Sequence, residues 1–302
     1  MRPPDSVLLI HGGALGDFVL SLSIVRTLRL RGASPITVLA RGAHQWLALH
    51  GGASRFLNLE RSPWHLLFSD GPTDRFPGEL SSIDLAIDML GGPNLACNLA
   101  RLGVKRVVSI DPRPRTELSG HITDQWAGDL ASRGIDLRPL VEPRIETPVR
   151  FRRSASVLIH PGSGSAVKCW PLSRYLQLAE LLRGEGLSPG FIVGPVETET
   201  WPPDRIAEIE RMGTLLRNLP LETLSDNLAS AELYIGNDSG VSHLAAALET
   251  PTLVVFGTTS AERWRPLGNN VDTIESDGWP MTTEVMERCS QILDRQALGG
   301  RS

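Results

Sequence analysis

The sequence predicts a two-domain α/β protein built from two Rossmann-like layers. Three observations carry that reading. The chain has 302 residues, about twice the size of a common domain. Short apolar runs alternate with helix-periodic segments, as parallel sheets require. The alternation also restarts after a segment rich in proline and arginine.

The elements follow in order. Val7 to Ile10 is an apolar strand ending at Gly12-Gly13, and Phe18 to Leu30 places Phe18, Leu22, Val25 and Leu28 or Arg29 on successive helical turns. Ile36 to Ala40, Leu85 to Leu90 and Val104 to Ile110 are further strand candidates. A helix is expected from His121 to Arg133. Pro112, Pro114, Pro139, Pro143 and Pro148 break up the region from Asp111 to Arg153, and the linker is expected near Glu142 to Arg153. This divides the chain into residues 1–149 and 150–302.

In the second half, Val157 to His160, Pro189 to Val193, Leu233 to Gly236 and Thr252 to Phe256 read as strands. Leu172 to Arg183, Asp204 to Met212, Thr223 to Ala231 and Val241 to Leu248 read as helices between them. Thr282 or Thr283 is expected to start a last helix running to Leu293 that packs back on the first domain, with residues 299–302 as a frayed tail.

Composition narrows the function classes. Hydrophobic residues at 41% and charged residues at 21% describe a globular chain. No apolar run reaches the ~18 residues of a membrane span, and Met1 to Leu9 lacks a signal-peptide pattern, so a cytoplasmic protein is expected. Cys97, Cys169 and Cys289 form no C-x-x-C pair, which points to reduced thiols rather than disulfides or zinc. Residues 1–153 carry 19 Lys/Arg against 15 Asp/Glu, and the remainder 11 against 19. The resulting +4 and -8 are far from a nucleic-acid footprint, although the first half suits an anionic acceptor or membrane surface.

Four segments place small polar or charged residues at strand ends. In Ile235 to His243 a strand passes through Gly236-Asn237-Asp238-Ser239-Gly240 into an apolar helix, a ready anion site because the first-turn N–H groups are unpaired. An N-cap role for Asp238 or Ser239 and a half-buried surface position for His243 are the plainer reading of those residues alone. His160 to Pro171 forms a second such loop, with Ser163, Gly164 and a lysine, Lys168, that offers a mobile charge to a diphosphate or lies solvated in a turn. This loop is not a Walker A sequence.

Near the N-terminus, Gly12 to Asp17 lacks G-x-G-x-x-G spacing; Asp17 is either a helix cap or a general base. Glu197, just after a strand, is either a solvated loop residue or a ligand for ribose hydroxyls. With no D-x-D sequence and no metal-ligand spacing, neither a metal nor another cofactor is expected.

Taken together, Gly13-Ala14-Leu15-Gly16-Asp17, His160-Pro161-Gly162 through Lys168-Cys169-Trp170-Pro171, and Gly236 to Gly240 with His243 to Ala247 resemble the ADP-heptose:lipopolysaccharide heptosyltransferases, glycosyltransferase family 9. Phe256-Gly257-Thr258-Thr259, Arg263-Trp264 and the His121 to Gly134 segment, similar to the family's H-x-x-D helix, extend the likeness over nearly the whole chain.

The resemblance implies a GT-B architecture, two Rossmann-like domains facing each other across a cleft, with an N-terminal acceptor domain and a C-terminal donor domain. It implies inverting, metal-independent transfer of a heptose or related sugar from a nucleoside diphosphate, ADP-heptose being favoured. The acceptor would be a lipopolysaccharide-core or other cell-envelope saccharide, free or lipid-linked, met at the cytoplasmic face of the inner membrane. Asp17 would be the base, on a loop formed by Gly13, Ala14 and Gly16. Lys168, Ser163, Gly164 and the N–H groups of Ser239 and Gly240 would hold the leaving diphosphate. Asp238 and His243 would shape that turn, and Glu197 would hold the ribose.

The chain departs from the family at three places: His11-Gly12 stands where a basic residue is common, Met89 to Pro93 is altered, and Cys169 replaces a commonly basic residue. A nucleotide-sugar epimerase of the same fold and a non-catalytic nucleotide-sugar-binding protein are the alternative readings.

Overall fold

In the computed structural model, residues 4–70, 76, 78–147, 154–276 and 278–299 are described. The chain forms two compact units, Met1–Glu146 and Thr147–Ser302. Part of the expected linker, 148–153, and most of the expected tail, 300–302, lie outside the described residues.

The first unit runs β1 (Val7–His11), α1 (Leu15–Leu30), β2 (Ile36–Ala40), α2 (Gln45–His50), β3 (Arg55–Asn58), β4 (Leu85–Asp88), α3 (Leu95–Arg101), β5 (Arg106–Ser109) and α4 (Ile122–Ser132). Its five strands are parallel in the order β3-β2-β1-β4-β5. Every residue of β1, β2 and β4 is buried, because helices cover both faces of a parallel sheet. α1 is apolar almost all round, and its buried Ser21, Ser23 and Thr27 donate their hydroxyls to carbonyls within the same helix.

Residues 142–146, expected to begin the linker, belong to this unit. The Arg26 guanidinium donates to the Glu142 carbonyl at 2.7 Å, and Glu146 N–H donates to His50 O at 2.9 Å. Buried Ile135, Leu137 and Ile145 anchor the stretch around them.

The second unit runs β6 (Ser154–His160), α5 (Leu172–Gly184), β7 (Ser188–Val193), α6 (Pro195–Thr200), α7 (Pro203–Met212), β8 (Thr214–Arg217), α8 (Leu221–Ser230), β9 (Ala231–Asn237), α9 (Gly240–Ala247), β10 (Thr252–Phe256), α10 (Ala261–Trp264), β11 (Val271–Glu275) and α11 (Thr282–Gly299). Its six parallel strands lie in the order β11-β10-β9-β6-β7-β8. Period-2 alternation puts Val157 and Ile159, Leu233 and Ile235, and Leu253 and Val255 into one core.

α11 runs six residues beyond the expected end, and Val285, Cys289 and Ile292, one helical stripe, are buried in this same core with α5. Its apolar stripe is therefore part of the second unit's own packing. No helix among the described residues is long and apolar enough to cross a membrane.

The strand orders locate the ligand-binding ends. In each sheet the chain starts at an inner strand, β1 or β6, adds strands to one side, and then returns to add strands on the other. The switch points are thus the β1/β4 and β6/β9 junctions. Beyond the carboxyl ends of such strands, loops diverge and leave a crevice. Asp17 follows β1, and Ser163 to Lys168 and Asp238 to Gly240 follow β6 and β9.

Candidate functional site

At the β6/β9 junction one buried side chain holds the two loops together. Asn237, the last residue of β9, lies two positions beyond Ile235 on the same face and so points toward α5. Its Oδ1 accepts Trp170 N–H at 2.8 Å and the Tyr175 hydroxyl at 2.9 Å, and its Nδ2 donates to the carbonyls of Pro161 and Gly162, both at 3.1 Å. Asn237 is completely buried, so this full set of partners is what makes its burial tolerable. The Trp170 indole, also completely buried, donates to Pro280 O at 3.0 Å and anchors the end of the loop.

Ser163 donates its hydroxyl to the Asp238 carbonyl at 2.8 Å. It therefore joins the two loops that were expected to hold the diphosphate. Lys168 was expected to be mobile, but its Nζ lies 2.7 Å from Asp238 Oδ2 and 5.8 Å from the centre of the Trp264 ring. A buried carboxylate needs a counter-charge, and Lys168 supplies one. Gly164, on the same loop, is exposed.

Ser239 occupies the cap position of α9, yet its side chain makes no capping bond. Its hydroxyl lies 3.3 Å from His160 Nδ1 and 3.2 Å from Ser242 Oγ. Gly240 opens the helix and is half-buried. His243 is buried rather than half-exposed, because α9 is enclosed almost all round.

Glu197 is not a solvated loop residue. It is the third residue of α6, buried, with Oε2 accepting Gly194 N–H at 2.9 Å and lying 3.7 Å from His160 Nε2. Burial alone would raise its carboxyl, and His160 with the Gly194 N–H outweighs that and holds it below the usual carboxylate range. A Cβ on Gly162 would come within 2.0 Å of the Glu197 carboxyl, so glycine there is a packing requirement.

At the β1/β4 junction, Ala14 takes the cap position and Asp17 is the third residue of α1. Asp17 is therefore not the helix cap; its charge sits in the first turn, where the helix dipole favours it. The turn before it is set by His11, whose Nδ1 accepts Gly13 N–H at 3.2 Å. A Cβ on Gly13 would approach the His11 ring to 2.7 Å.

His11 stands where resemblance led to a missing basic charge. Burial above all, then His44 and Arg41, push its imidazole down to about 4, so it is neutral at physiological pH. Burial and Arg41 do the same to His44, whose ring stacks on Phe18 at 4.3 Å. Across the junction, Asp88 folds the altered Met89 to Pro93 loop: Oδ1 accepts the N–H groups of Leu90 and Gly91 at 2.9 and 2.8 Å, and Oδ2 accepts the Ser109 hydroxyl at 2.9 Å. In the segment likened to the H-x-x-D helix, His121 caps α4 by accepting Thr123 N–H.

Sequence reasoning singled out neither Asn237 nor His160, Asp88 and His44 as functional candidates. For Asn237 a signal existed: alternation from Leu233 and Ile235 carries it onto the core face.

Residues 142–292 match the family model of glycosyltransferase family 9 (heptosyltransferase). The chain belongs to glycosyltransferase family 9. Lipopolysaccharide heptosyltransferase 3 of Escherichia coli (strain K12) is 30% identical over 118 residues, 38% of this chain and 34% of that protein. The matched stretch thus spans about a third of the length of this curated relative.

Among solved structures, E. coli ADP-heptose LPS heptosyltransferase II superposes with a TM-score of 0.76 at 18% identity, covering 97% of this chain and 99% of that one. E. coli heptosyltransferase WaaC with ADP gives 0.71 at 17% identity, covering 95% and 99%. These likenesses establish the GT-B fold class for the family 9 chain, in which both β-sheets are parallel and flanked by helices.

Proposed function

We propose that this family 9 chain is an inverting, metal-independent glycosyltransferase that moves a heptose or related sugar from a nucleoside diphosphate, ADP-heptose being favoured, to a lipopolysaccharide-core or other cell-envelope saccharide. The observation that carries the donor half is the turn at the β6/β9 junction. The opening N–H groups of α9, Ser239 and Lys168 are gathered there around the Asn237 staple. Such a group offers helix-dipole, hydroxyl and ammonium stabilisation to a diphosphate without a metal. The names of the relatives, and the ADP in the WaaC structure, support adenine and heptose.

In the transfer step, an acceptor hydroxyl oxygen attacks the anomeric carbon. Its bond to that carbon forms as the bond from the carbon to the diphosphate oxygen breaks. The electron pair leaves on the nucleoside diphosphate, where Lys168 and the α9 N–H groups stabilise it, and the acceptor proton passes to the Asp17 carboxylate. Gly13, Ala14 and Gly16 shape the turn that presents Asp17. Glu197, buried beneath Gly162, supports the donor loop from below, and its expected contact with ribose would require that packing to open.

We place this activity in the cytoplasm, peripherally at the inner-membrane face, and the surplus of +4 in residues 1–153 suits the anionic acceptors or membrane surface it would meet there. The test is incubation with ADP-heptose and a panel of lipopolysaccharide-core acceptors, read by acceptor mass. A heptosyl mass gain that falls about 10²- to 10⁴-fold in Asp17→Asn is expected. Donor binding with no mass gain on any acceptor would overturn transfer, and wild-type rates in Asp17→Asn would overturn the base.

A further inference from the structure

At the amino end of the first sheet lies a cavity of about 540 Å³ that the transfer step above does not use. Leu85 and Arg106 are the first residues of β4 and β5, Arg31 is the cap after α1, and all three line it. Asp17, by contrast, follows the carboxyl end of β1.

Residues 134–138 form one wall, and the local sequence explains why the chain turns there. Gly134 takes a φ of 75°, the left-handed backbone that closes α4. Its N–H bonds Ala131 O and the Ile135 N–H bonds Leu130 O, both at 2.9 Å. Ile135 and Leu137 are then buried and, with Leu85, give the cavity an apolar lining. A Cβ on Gly134 would lie 3.3 Å from the Arg106 guanidinium.

The carboxylates of this lining already have their cations. Arg138 holds Asp136 with two bonds, at 2.8 and 2.9 Å, and the Lys105 ammonium lies 2.6 Å from Asp84. These bonds above all keep both carboxyls below the usual carboxylate range. Arg31 and Arg106 are placed differently. Among the described residues their guanidinium bonds all go to backbone carbonyls: Arg31 to Asp136 O and, at 3.2 Å, to Arg138 O, and Arg106 to Arg133 O. Asp136 also attracts Arg31, and Asp5 attracts Lys105, at longer range.

Bonds to carbonyls leave a guanidinium its charge and most of its N–H donors. Both arginines are exposed, so an anion can reach them. A phosphate monoester brings about two negative charges and three acceptor oxygens, enough for both planar forks. A carboxylate has oxygens for one fork. The volume lies within the roughly 300–1,000 Å³ of small-molecule sites, and the apolar lining favours a ligand with an apolar body over a bare ion.

We propose that this cavity binds a phosphate monoester with a small apolar body, free or as a lipid headgroup. The phosphate sits on Arg31 and Arg106, and the body lies against Leu85, Ile135 and Leu137. The site is separate from the donor turn and does not depend on that reading.

The experiment is calorimetric titration of phenyl phosphate into the full chain, with inorganic phosphate and benzoate as comparisons. Saturable binding is expected, at least about tenfold tighter than either comparison. Arg31→Gln and Arg106→Gln should each weaken it about tenfold or more. Both arginines also hold carbonyls, so thermal melts check that the variants fold. A crystal of the wild-type chain with phenyl phosphate needs no variant: the phosphate is expected within hydrogen-bond distance of both guanidiniums. Sedimentation with phosphatidylcholine vesicles containing phosphatidic acid separates the two sources. Sedimentation lost in Arg106→Gln identifies the lipid, and its absence beside phenyl phosphate binding identifies the free ester. No saturable binding of phenyl phosphate, an affinity no greater than for inorganic phosphate, or an affinity unchanged in both folded variants overturns the proposal. So does phenyl phosphate bound in the crystal only outside this cavity.

Discussion

Lys168 Nζ sits 2.7 Å from Asp238 Oδ2, joining the β6 loop to the β9 turn through one ion pair in which the carboxylate is buried and the lysine about one-third exposed. The lysine proposed to meet the diphosphate is therefore already held at the turn by a carboxylate. Lys168→Ala leaves that carboxylate without its cation and should cost about 1–2 kcal/mol, less than a fully buried pair because solvent reaches the lysine. Adding Asp238→Asn should restore stability but not ADP affinity. Urea melts and ADP titrations on the single and double variants check both halves; recovery of affinity in the double variant would refute the role given to Lys168.

Asn237→Ala removes the partners of Trp170 N–H, the Tyr175 hydroxyl and two carbonyls at once. A loss of about 3 kcal/mol is expected, since buried donors left unmade cost ~1–3 kcal/mol each and relaxation recovers part. Chemical denaturation measures it. A loss below about 1 kcal/mol would mean that Asn237 is not the staple.

Stability should fall as pH drops from about 6.5 toward 4. His11 and His44 are held neutral in the fold down to about 4, whereas in the unfolded chain they take up protons near ~6.5. The unfolded state therefore binds more protons in that window, and each imidazole adds a slope of up to about 1.4 kcal/mol per pH unit. Urea midpoints at pH 7, 6 and 5 test this. His11→Gln should flatten the profile, and an unchanged slope in that variant would rule out His11 as a source.

The three thiols should separate under a disulfide reagent. Cys97 is exposed and reacts first. Cys169 is partly buried and raised by burial and Glu197, so it reacts slowly. Burial pushes Cys289 up to about 12, and it should react only on unfolding. Labelling followed by peptide mass analysis orders them; early modification of Cys289 would contradict its place in the second core.

Short apolar runs such as Thr252 to Phe256 and Ile36 to Ala40 were legible because parallel strands buried on both faces are near-continuous apolar stretches. Of the four edge strands only β5, inside the expected Val104 to Ile110, was legible. Arg55–Asn58, Thr214–Arg217 and Val271–Glu275 are short, largely half-exposed and polar at one or both ends, and no one-dimensional pattern separates them from loops. The same limit applies to the site. The small polar turn at Asp238 to Gly240 could be read as a phosphate-binding helix start, but Lys168's bond to Asp238, 70 residues away, exists only once the sheet is assembled. That Glu197 is buried rather than solvated was hidden for a related reason: its burial under Gly162 depends on two neighbouring loops meeting.

The most direct measurement is a crystal structure of the chain with ADP bound. The diphosphate is expected against the opening N–H groups of α9 at Ser239 and Gly240, with the Lys168 ammonium turned from Asp238 onto it. ADP bound away from the β6/β9 junction, or at the junction with Lys168 still paired to Asp238, would contradict the assignment of this turn as the donor phosphate site.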